Sequence, residues 1–321
     1  MILRLGHVEL YVTDLNAARN FYVHVLGFIE HHADNDHLYL RGIEDFDVWT
    51  LKLTLGDGPR LGHMAFRVDA LDSLDTLEHL HTELGTPTRR VAENTEFAQG
   101  EALRVSTPDG FPVEFYHTFE QINVYDEDGN VRLPMRSTHQ RVGIPPIRVN
   151  HVNLRVPDVQ QSIRYWRDQL HFAISEYLVD EHDETIGMWM HRGPGTHDVA
   201  IIRSGTWTDR PPSVTEFTHI AYYLSDPAAV FRAADLVSDA GYRSAMDFGP
   251  GRHGVTNAFF MYVRDPAGNR IELFTGDYLR DLDQPPIKWK WEDYNRQGLL
   301  WWNMDVPARF REPMAVNSFW P

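Results

Sequence analysis

The chain has 321 residues, the length of about two domains of ordinary size. Hydrophobic residues make up 42% and charged residues 24%, an ordinary globular composition that argues against intrinsic disorder. The absence of cysteine excludes disulfide scaffolds, thiolate zinc sites, iron–sulfur clusters and cysteine nucleophiles. A metal in this protein must therefore be bound by imidazole and carboxylate groups.

The charge of the chain argues against two classes of partner. With 30 Lys and Arg against 46 Asp and Glu, the formal net charge is −16, and such a chain repels nucleic-acid backbones and anionic membrane surfaces. No apolar run reaches the roughly 18 residues that a spanning helix needs, and Glu9 and Asp14 interrupt any signal-peptide core. We therefore expect no nucleic-acid partner, no membrane association and a cytoplasmic location.

An internal repeat organises the chain. The stretch RLGHVELYVTDLNAARNFYVHVLGF at 4–28 aligns without a gap with RVNHVNLRVPDVQQSIRYWRDQLHF at 148–172, so that His7 matches His151. Each copy alternates between polar and apolar residues like a strand, and after an aspartate it shows apolar residues at helical spacing. A strand followed by a helix is therefore predicted at the start of each half.

The repeat continues through two further stretches. LGHMAFRV resembles FTHIAYYL and pairs His63 with His219, and PDGFPVEFY resembles PAGNRIELF and pairs Glu114 with Glu272. In the second pair, a Pro-x-Gly turn leads into an alternating run, which is typical of a turn that enters a strand. The sequence therefore predicts a duplicated α+β architecture in which each half contains a strand, a helix and several further strands.

Turn-forming segments indicate where the halves are joined. DEDGN at 126–130 and GIPP at 143–146 are typical of a linker. We predict an N-terminal domain over 1–136, a C-terminal domain over 147–277 and a tail over 278–321. We expect the tail to cover the active site of the C-terminal domain or a subunit interface, because exposed aromatic surface is unfavourable. The tail contains five of the nine tryptophans: Trp289, Trp291, Trp301, Trp302 and Trp320.

Three residues from separate predicted strands form a candidate metal site: His151, His219 and Glu272. Because alternate residues of a strand face the same side, neighbouring strands of a curved sheet can direct side chains to one interior point. Two imidazoles and one carboxylate form the facial triad of non-haem Fe(II) sites, which leaves positions open for substrate and O2. The first half contains the equivalent set His7, His63 and Glu114.

The two halves differ in the groups that could transfer protons. The second half contains three such groups near the candidate ligands: His197, His253 and Tyr262. At the matching places the first half has Val48 or Trp49, the stretch Gln99-Gly100-Glu101, and Arg104. Because ring chemistry at a metal needs acid–base groups, we predict that the second half is active. The set in the first half is interpreted as a relic or as a structural hydrogen-bond cluster.

Several motifs together resemble the type I extradiol ring-cleaving dioxygenases of the vicinal oxygen chelate superfamily. They are NHVNLRVPD at 150–158, WMHR at 189–192, THDVA at 196–200, GPGRHGVTNAF at 249–259 and DPAGNRIELFTGDY at 265–278. Within that family the chain is most similar to the homoprotocatechuate 2,3-dioxygenase branch, followed by the catechol 2,3-dioxygenases. The resemblance implies four βαβββ modules paired into two open barrels, Fe(II) or Mn(II) in the C-terminal barrel, and a homo-oligomer, commonly a tetramer.

The resemblance also implies roles for individual residues. The metal ligands that it implies are His151, His219 and Glu272. His197 matches the acid–base histidine beside the metal, and His253 and Tyr262 match groups that hydrogen-bond the bound catechol or oxygen intermediates. Asn153 and Trp189 match residues that line the substrate pocket.

At three positions the chain departs from the homoprotocatechuate branch. Phe248 stands where that branch has an arginine, Arg296 stands beside Gln297 where it has two adjacent arginines, and Arg309 lies near the place of a pocket tryptophan. Since arginine binds carboxylates in a bidentate manner, Phe248 weakens the prediction of an acidic substituent on the substrate. Arg296 or Arg309 could supply the missing charge, and we include all three positions among the expected substrate-binding residues.

The predicted function is extradiol (meta) cleavage of a catechol by O2, which gives a muconic semialdehyde in the degradation of aromatic compounds. The expected substrate is 3,4-dihydroxyphenylacetate or a simple or alkyl catechol. One competing hypothesis is a metal-dependent isomerase or lyase of the same superfamily, similar to glyoxalases or epimerases. These enzymes generally use more carboxylate ligands and a glutamate base, whereas Asn153 stands two residues after His151. Two more hypotheses are a metal-free binding protein and a duplicated domain without chemistry.

Overall fold

The computed structural model of the protein describes residues 1–131, 142–206 and 215–312. Their strands form two mixed sheets of eight and nine strands. In each half, a module of one strand, one helix and three further strands occurs twice in succession. This order confirms the predicted α+β architecture of duplicated βαβββ modules. Residue 136, the expected end of the first domain, and Trp320 lie outside the described residues.

The first sheet contains two modules that meet along their first strands. Its strands are β1 (Ile2–Val12), β2 (Ile29–Ala33), β3 (His37–Arg41), β4 (Leu51–Leu55), β5 (Arg60–Val68), β6 (Thr88–Val91), β7 (Ala102–Ser106) and β8 (Pro112–Tyr116). The helices α1 (Leu15–Arg19) and α2 (Ser73–Glu83) follow β1 and β5. The spatial order is β2-β3-β4-β1-β5-β8-β7-β6, in which β1 and β5 pair antiparallel.

The second sheet repeats this topology and adds one strand from the tail. Its strands are β9 (Arg148–Val156), β10 (Ala173–Val179), β11 (Thr185–His191), β12 (Val199–Arg203), β13 (Glu216–Tyr223), β14 (Met246–Arg252), β15 (Phe259–Arg264), β16 (Arg270–Thr275) and β17 (Ile287–Lys290). The spatial order is β14-β15-β16-β13-β9-β12-β11-β10-β17. The tail strand β17 pairs parallel with β10 at the edge, so the tail is part of the second sheet.

The remaining helical segments are short. The α-helices of the second half are α3 (Val159–Ile163), α4 (Pro227–Val237) and α5 (Trp291–Asp293). One π-helical turn follows each of α1, α3, α4 and α5: Asn20–Leu26, Arg164–Gln169, Ser238–Tyr242 and Tyr294–Gly298. Single 3₁₀ turns lie at Arg243–Ala245, Val255–Asn257 and Ala308–Arg311. No helix in the described ranges has the length and apolarity needed to cross a membrane.

Equivalent aspartates begin the equivalent helices of the two halves. The carboxylate of Asp14 accepts hydrogen bonds from the backbone N–H groups of Asn16 and Ala17, and that of Asp158 accepts one from Gln161. Such an N-cap satisfies backbone donors that have no partner within the helix. The gap-free sequence repeat therefore reflects the same local structure in both halves.

A continuous apolar core joins the two halves. The fully buried Trp166 of the second half packs its ring against Phe66 of the first half and Phe172 of the second, with centroid distances of 5.5 and 5.2 Å. Nearby, the hydroxyl of Tyr22 donates to the carboxylate of Asp265 at 3.0 Å across the same junction. The second sheet is therefore held at a fixed position against the first.

Trp166→Ala should lower the free energy of unfolding by about 3–5 kcal/mol, because it removes a large buried ring and leaves a cavity between the halves. The control is Trp301→Ala, since Trp301 is 55% exposed, and it should change the stability by less than about 1 kcal/mol. Denaturant unfolding measures both values. Equal effects of the two substitutions would contradict the assignment of Trp166 to the shared core.

Candidate metal centre and substrate cavity

Neighbouring strands of the second sheet bring two imidazoles and one carboxylate together. His151 lies on β9, His219 on β13 and Glu272 on β16, and these strands are adjacent in the sheet. The Nε2 atoms of both histidines lie 3.0 Å from Oε2 of Glu272, and all three side chains are buried. The structure therefore brings together the three residues that the sequence analysis selected as candidate metal ligands.

The hydrogen-bonding geometry of this cluster fits a bound cation. His219 Nε2 is at hydrogen-bonding distance from Glu272 but lacks hydrogen-bonding geometry, and neither ring nitrogen of His219 has a hydrogen-bond partner among the described residues. A buried polar atom without a partner costs about 1–3 kcal/mol. His151 Nδ1 lies 2.9 Å from the side-chain oxygen of Asn150, so that its Nε2 lone pair faces the cluster.

The protonation states of the cluster also suit metal binding. Burial alone would raise the pKa of Glu272, but the contacts and charges of His151 and His219 hold this pKa well below its usual range. Burial lowers the pKa of His219 to about 4, against the attraction of Glu272. An ionised carboxylate and a neutral imidazole are the forms in which these side chains bind metals.

His197 lies directly against the cluster. Its ring centroid is 3.9 Å from that of His151, and its Nδ1 is 2.9 Å from the hydroxyl oxygen of Thr196. Burial, together with the neighbouring His151, lowers the pKa of His197 well below its usual range. The imidazole is therefore neutral at neutral pH.

His253 and Tyr262 form a pair on the other side of the carboxylate. His253 Nε2 lies 3.2 Å from the hydroxyl oxygen of Tyr262 and 3.8 Å from Oε1 of Glu272. Burial lowers the pKa of His253, and burial with the nearby Glu272 raises the pKa of Tyr262 well above its usual range. At neutral pH the pair is therefore an uncharged imidazole and a protonated phenol.

A cavity opens from the cluster, and beyond the cluster and the three proton-transfer groups most of its lining side chains are apolar. Asn153 and Trp189, which the resemblance implied as pocket residues, both line it. The side-chain oxygen of Asn153 accepts a hydrogen bond from the hydroxyl of Thr218 at 2.5 Å, which orients the amide. The apolar lining consists of Trp189, Ile202, Val255, Ala258, Leu299 and Phe310.

Three expected substrate-binding residues do not line this cavity. Phe248 lies behind Tyr262, with the two rings parallel and 6.1 Å apart. The side chain of Arg296 is 66% exposed and forms an ion pair with Asp293. Arg309 is held by Asp247 at 2.8 Å and by backbone carbonyls. None of these three residues therefore contacts the cavity in this structure, and their role in substrate binding stays a prediction.

Several residues of the cavity wall were not expected from the sequence: Arg155, Thr218, Tyr294 and Leu299. Arg155 lies two residues after Asn153, which itself lies two residues after His151. Alternate residues of a strand face the same side, so strand alternation alone predicts that Arg155 faces the cavity. Arg155 Nη1 lies 3.3 Å from a carboxylate oxygen of Glu216. Tyr294 and Leu299 belong to the tail, where no repeat or alternation indicates which side chains face the cavity.

The equivalent cluster of the first half is closed by other side chains. His7 and His63 meet with their Nε2 atoms 3.2 Å apart. Both oxygens of Glu114 already accept hydrogen bonds, from Arg104 at 2.6 Å and from Gln99 at 2.7 Å. The carboxylate of the first half is therefore satisfied by the chain itself.

Two replacements account for this difference between the halves. Arg104 pairs with Glu114 across β7 and β8 as Tyr262 pairs with Glu272 across β15 and β16. The ring of Trp49 packs 4.3 Å from His7, where His197 packs against His151 in the second half. In the first half, the guanidinium of Arg104 thus supplies a positive charge to Glu114, and the indole of Trp49 fills the space beside His7. We therefore interpret this cluster as a structural one.

Glu272→Gln and Glu114→Gln make a matched pair for a test of metal content. Protein loaded with Fe(II) or Mn(II) and then dialysed should contain one ion per chain in the wild type and in Glu114→Gln, and much less than one in Glu272→Gln, because the amide removes the anionic ligand. Elemental analysis measures the content. A Glu272→Gln protein that retains a full equivalent of metal would contradict the assignment.

Comparison with known proteins agrees with this geometry. Residues 4–115 and 148–273 match the family model described as the Glyoxalase/Bleomycin resistance protein/Dioxygenase superfamily. The manganese-dependent 2,3-dihydroxybiphenyl 1,2-dioxygenase of Geobacillus genomosp. 3 is 32% identical over 95% of this chain and 95% of its own length. A metapyrocatechase of Geobacillus stearothermophilus is 29% identical over 94% of this chain and 89% of its own length.

Solved structures give the same result. The homoprotocatechuate 2,3-dioxygenase of Arthrobacter globiformis superposes with a TM-score of 0.86 at 33% identity and covers 98% of this chain and 92% of that one. The complex of the Brevibacterium fuscum enzyme with 3,4-dihydroxyphenylacetate has a TM-score of 0.86 at 35% identity, over 98% of this chain and 93% of that one. The chain described here therefore belongs to the Glyoxalase/Bleomycin resistance protein/Dioxygenase superfamily.

Proposed function

We propose that the protein is an extradiol dioxygenase, which uses O2 to cleave a catechol ring beside its two hydroxyl groups and releases a muconic semialdehyde. One observation carries the proposal: in the second half, a buried cluster of two histidines and a glutamate shares a cavity with three proton-transfer groups, His197, His253 and Tyr262. The relatives named as a 2,3-dihydroxybiphenyl 1,2-dioxygenase and a metapyrocatechase match nearly the whole chain, which supports the same conclusion.

His151, His219 and Glu272 would hold a divalent ion, which supplies the Lewis acidity and redox capacity for bringing a catechol and O2 together. We propose Fe(II), with Mn(II) as the second candidate because the same ligands accept both ions. The relative from Geobacillus genomosp. 3 is named as manganese-dependent. Loading metal-free protein anaerobically with each ion, followed by O2 uptake measurements, distinguishes the two.

The side chains around the cluster can accept, donate or hydrogen-bond the protons of the catechol hydroxyl groups. The Tyr262 hydroxyl lies 3.2 Å from His253 Nε2, and it can donate instead to a deprotonated catechol oxygen, whose negative charge that hydrogen bond would stabilise. The neutral His197, whose ring lies 3.9 Å from that of His151, can take the proton of the second hydroxyl, which coordination to the ion would make more acidic, and return it as the ring opens.

The cavity wall favours a catechol with an uncharged substituent over 3,4-dihydroxyphenylacetate. Beyond the cluster and the three proton-transfer groups the wall is largely apolar, and its arginine, Arg155, is already paired with Glu216. A substrate carboxylate would be desolvated there and would have to compete with Glu216 for the guanidinium. We therefore propose a simple, alkyl or aryl catechol as the substrate.

The hypothesis of an isomerase or lyase has weaker support. A lactoylglutathione lyase of Escherichia coli O157:H7 is 27% identical over 40% of this chain. The neutral, hydrogen-bonded Asn153 beside the cluster is not a proton acceptor of the kind that such chemistry needs. Consumption of O2 with a catechol distinguishes the two functions, because only the dioxygenase requires it.

Two further expectations from the sequence stay predictions. The homo-oligomer, commonly a tetramer, that the resemblance implies can be tested by light scattering on the metal-loaded protein. The domain boundaries near residues 136 and 277 can be tested by limited proteolysis, since connecting segments are cleaved before packed domains.

His197→Phe should retain one metal ion per chain and lose about 10²- to 10⁴-fold in kcat, because it removes the acid–base group and leaves the three metal-binding side chains in place. Elemental analysis and O2 uptake on a catechol provide the two measurements. His182→Phe is the control, since His182 is 76% exposed in a turn. Full turnover by His197→Phe would rule out the proton-transfer role.

The charge preference of the cavity gives a second test. The wild type should use 4-ethylcatechol with a kcat/KM at least about tenfold above that for 3,4-dihydroxyphenylacetate. Glu216→Gln should narrow this difference, because it leaves the charge of Arg155 for the substrate. A wild type that prefers the carboxylated catechol would contradict the proposed substrate class.

A further inference from the structure

A buried carboxylate outside the metal cluster connects three segments of the second domain. Glu176 on β10 is only 1% exposed. Its Oε1 accepts hydrogen bonds from the backbone N–H of Thr256 at 2.6 Å and the hydroxyl of Tyr278 at 2.5 Å, and its Oε2 accepts one from the indole N–H of Trp289 at 2.5 Å. The donors belong to the segment before β15, the start of the tail and β17.

The Thr256 amide belongs to the segment that carries His253. Thr256 and Asn257 both adopt left-handed backbone conformations, with φ of 59° and 60°. Side-chain-bearing residues persist in this region only where their surroundings impose it. The bond to Glu176 satisfies the amide of Thr256 in that conformation, and Val255 and Thr256 both line the cavity. Glu176 therefore holds one end of the His253 segment in place.

The tail contacts the same segment from its other side. His253 Nδ1 lies 2.5 Å from the carbonyl oxygen of Leu299, and the Gly254 N–H donates to the carbonyl of Gly298 at 2.8 Å. Because a carbonyl only accepts, Nδ1 carries the hydrogen and Nε2 presents its lone pair toward the Tyr262 hydroxyl. The contact with the tail therefore determines which nitrogen of His253 carries the hydrogen.

We propose that Glu176 is a positioning residue. Its hydrogen bonds join the His253 segment, residues 252–258, to the tail, so that both form one wall of the substrate cavity. The wall consists of Val255 and Thr256 from the segment and Tyr294 and Leu299 from the tail. The identity of the substrate rests on the function proposed above, whereas the connection itself rests only on the three hydrogen bonds.

The substitution Glu176→Gln tests the hydrogen bonds of Glu176 without changing the size of its side chain much. A carboxylate offers two accepting oxygens to the three donors, whereas an amide offers one oxygen and one donating nitrogen. In either orientation, Glu176→Gln turns its N–H₂ toward a group that also donates. Tyr278→Phe and Trp289→Phe each remove one tail donor and leave the Thr256 bond intact. Glu181→Gln is the control, because Glu181 is 76% exposed in the turn that follows β10.

The experiment compares hydrogen–deuterium exchange in these variants as full-length, metal-loaded protein. Glu176→Gln should increase exchange in residues 252–258 and 287–301, with β9, β13 and β16 unchanged and one metal ion retained per chain. KM for the catechol should rise about tenfold with a smaller change in kcat, since the loss falls on the substrate wall. Tyr278→Phe and Trp289→Phe should act in the same direction and add little to Glu176→Gln.

Two results would overturn the proposal. Wild-type exchange in both segments of Glu176→Gln would show that the carboxylate does not hold them. Exchange raised evenly over the second sheet, with metal lost and kcat and KM equally impaired, would show a role in folding alone. A wild type that consumes no O2 with any catechol would instead refute the proposed function, and the exchange comparison would still decide the role of Glu176.

Discussion

The structure of the second domain depends on one buried carboxylate that lies between two imidazoles. Glu272 is buried away from solvent, and His219 beside it lacks hydrogen-bond partners among the described residues. A buried anion needs a compensating positive charge, and a buried donor or acceptor needs a partner. A divalent cation held by these side chains, which come from the adjacent strands β9, β13 and β16, would satisfy both needs at once.

The first domain meets the same physical requirement in a different way. There Arg104 provides the positive charge to Glu114, and Trp49 occupies the space against His7. The two domains share topology, strand register and helix starts, so their difference in chemistry does not come from the fold. It comes from a few side chains at equivalent strand positions, which either fill the interior point or leave it open for a metal and a substrate.

The tail adds what the repeat does not contain. Its strand β17 extends the second sheet, and its residues Tyr294, Leu299 and Phe310 line the far wall of the cavity. The second sheet thus carries the candidate metal ligands, while the tail supplies part of the cavity wall. In the proposed enzyme, substrate preference can therefore change through the tail without any change at the metal ligands.

The sequence by itself determined the duplicated α+β fold and the candidate cluster, because strand alternation and the repeat are local patterns that place His151 and His219 on one face. Alternation also contained the information for Arg155, although its pairing with Glu216 required the folded chain. Only the tertiary structure decided that Arg296 points to solvent, that Phe248 lies behind Tyr262 and that Glu176 joins the tail to the His253 segment. These contacts join surfaces far apart in the chain, and a segment without periodicity gives no local indication of which of its faces will be buried.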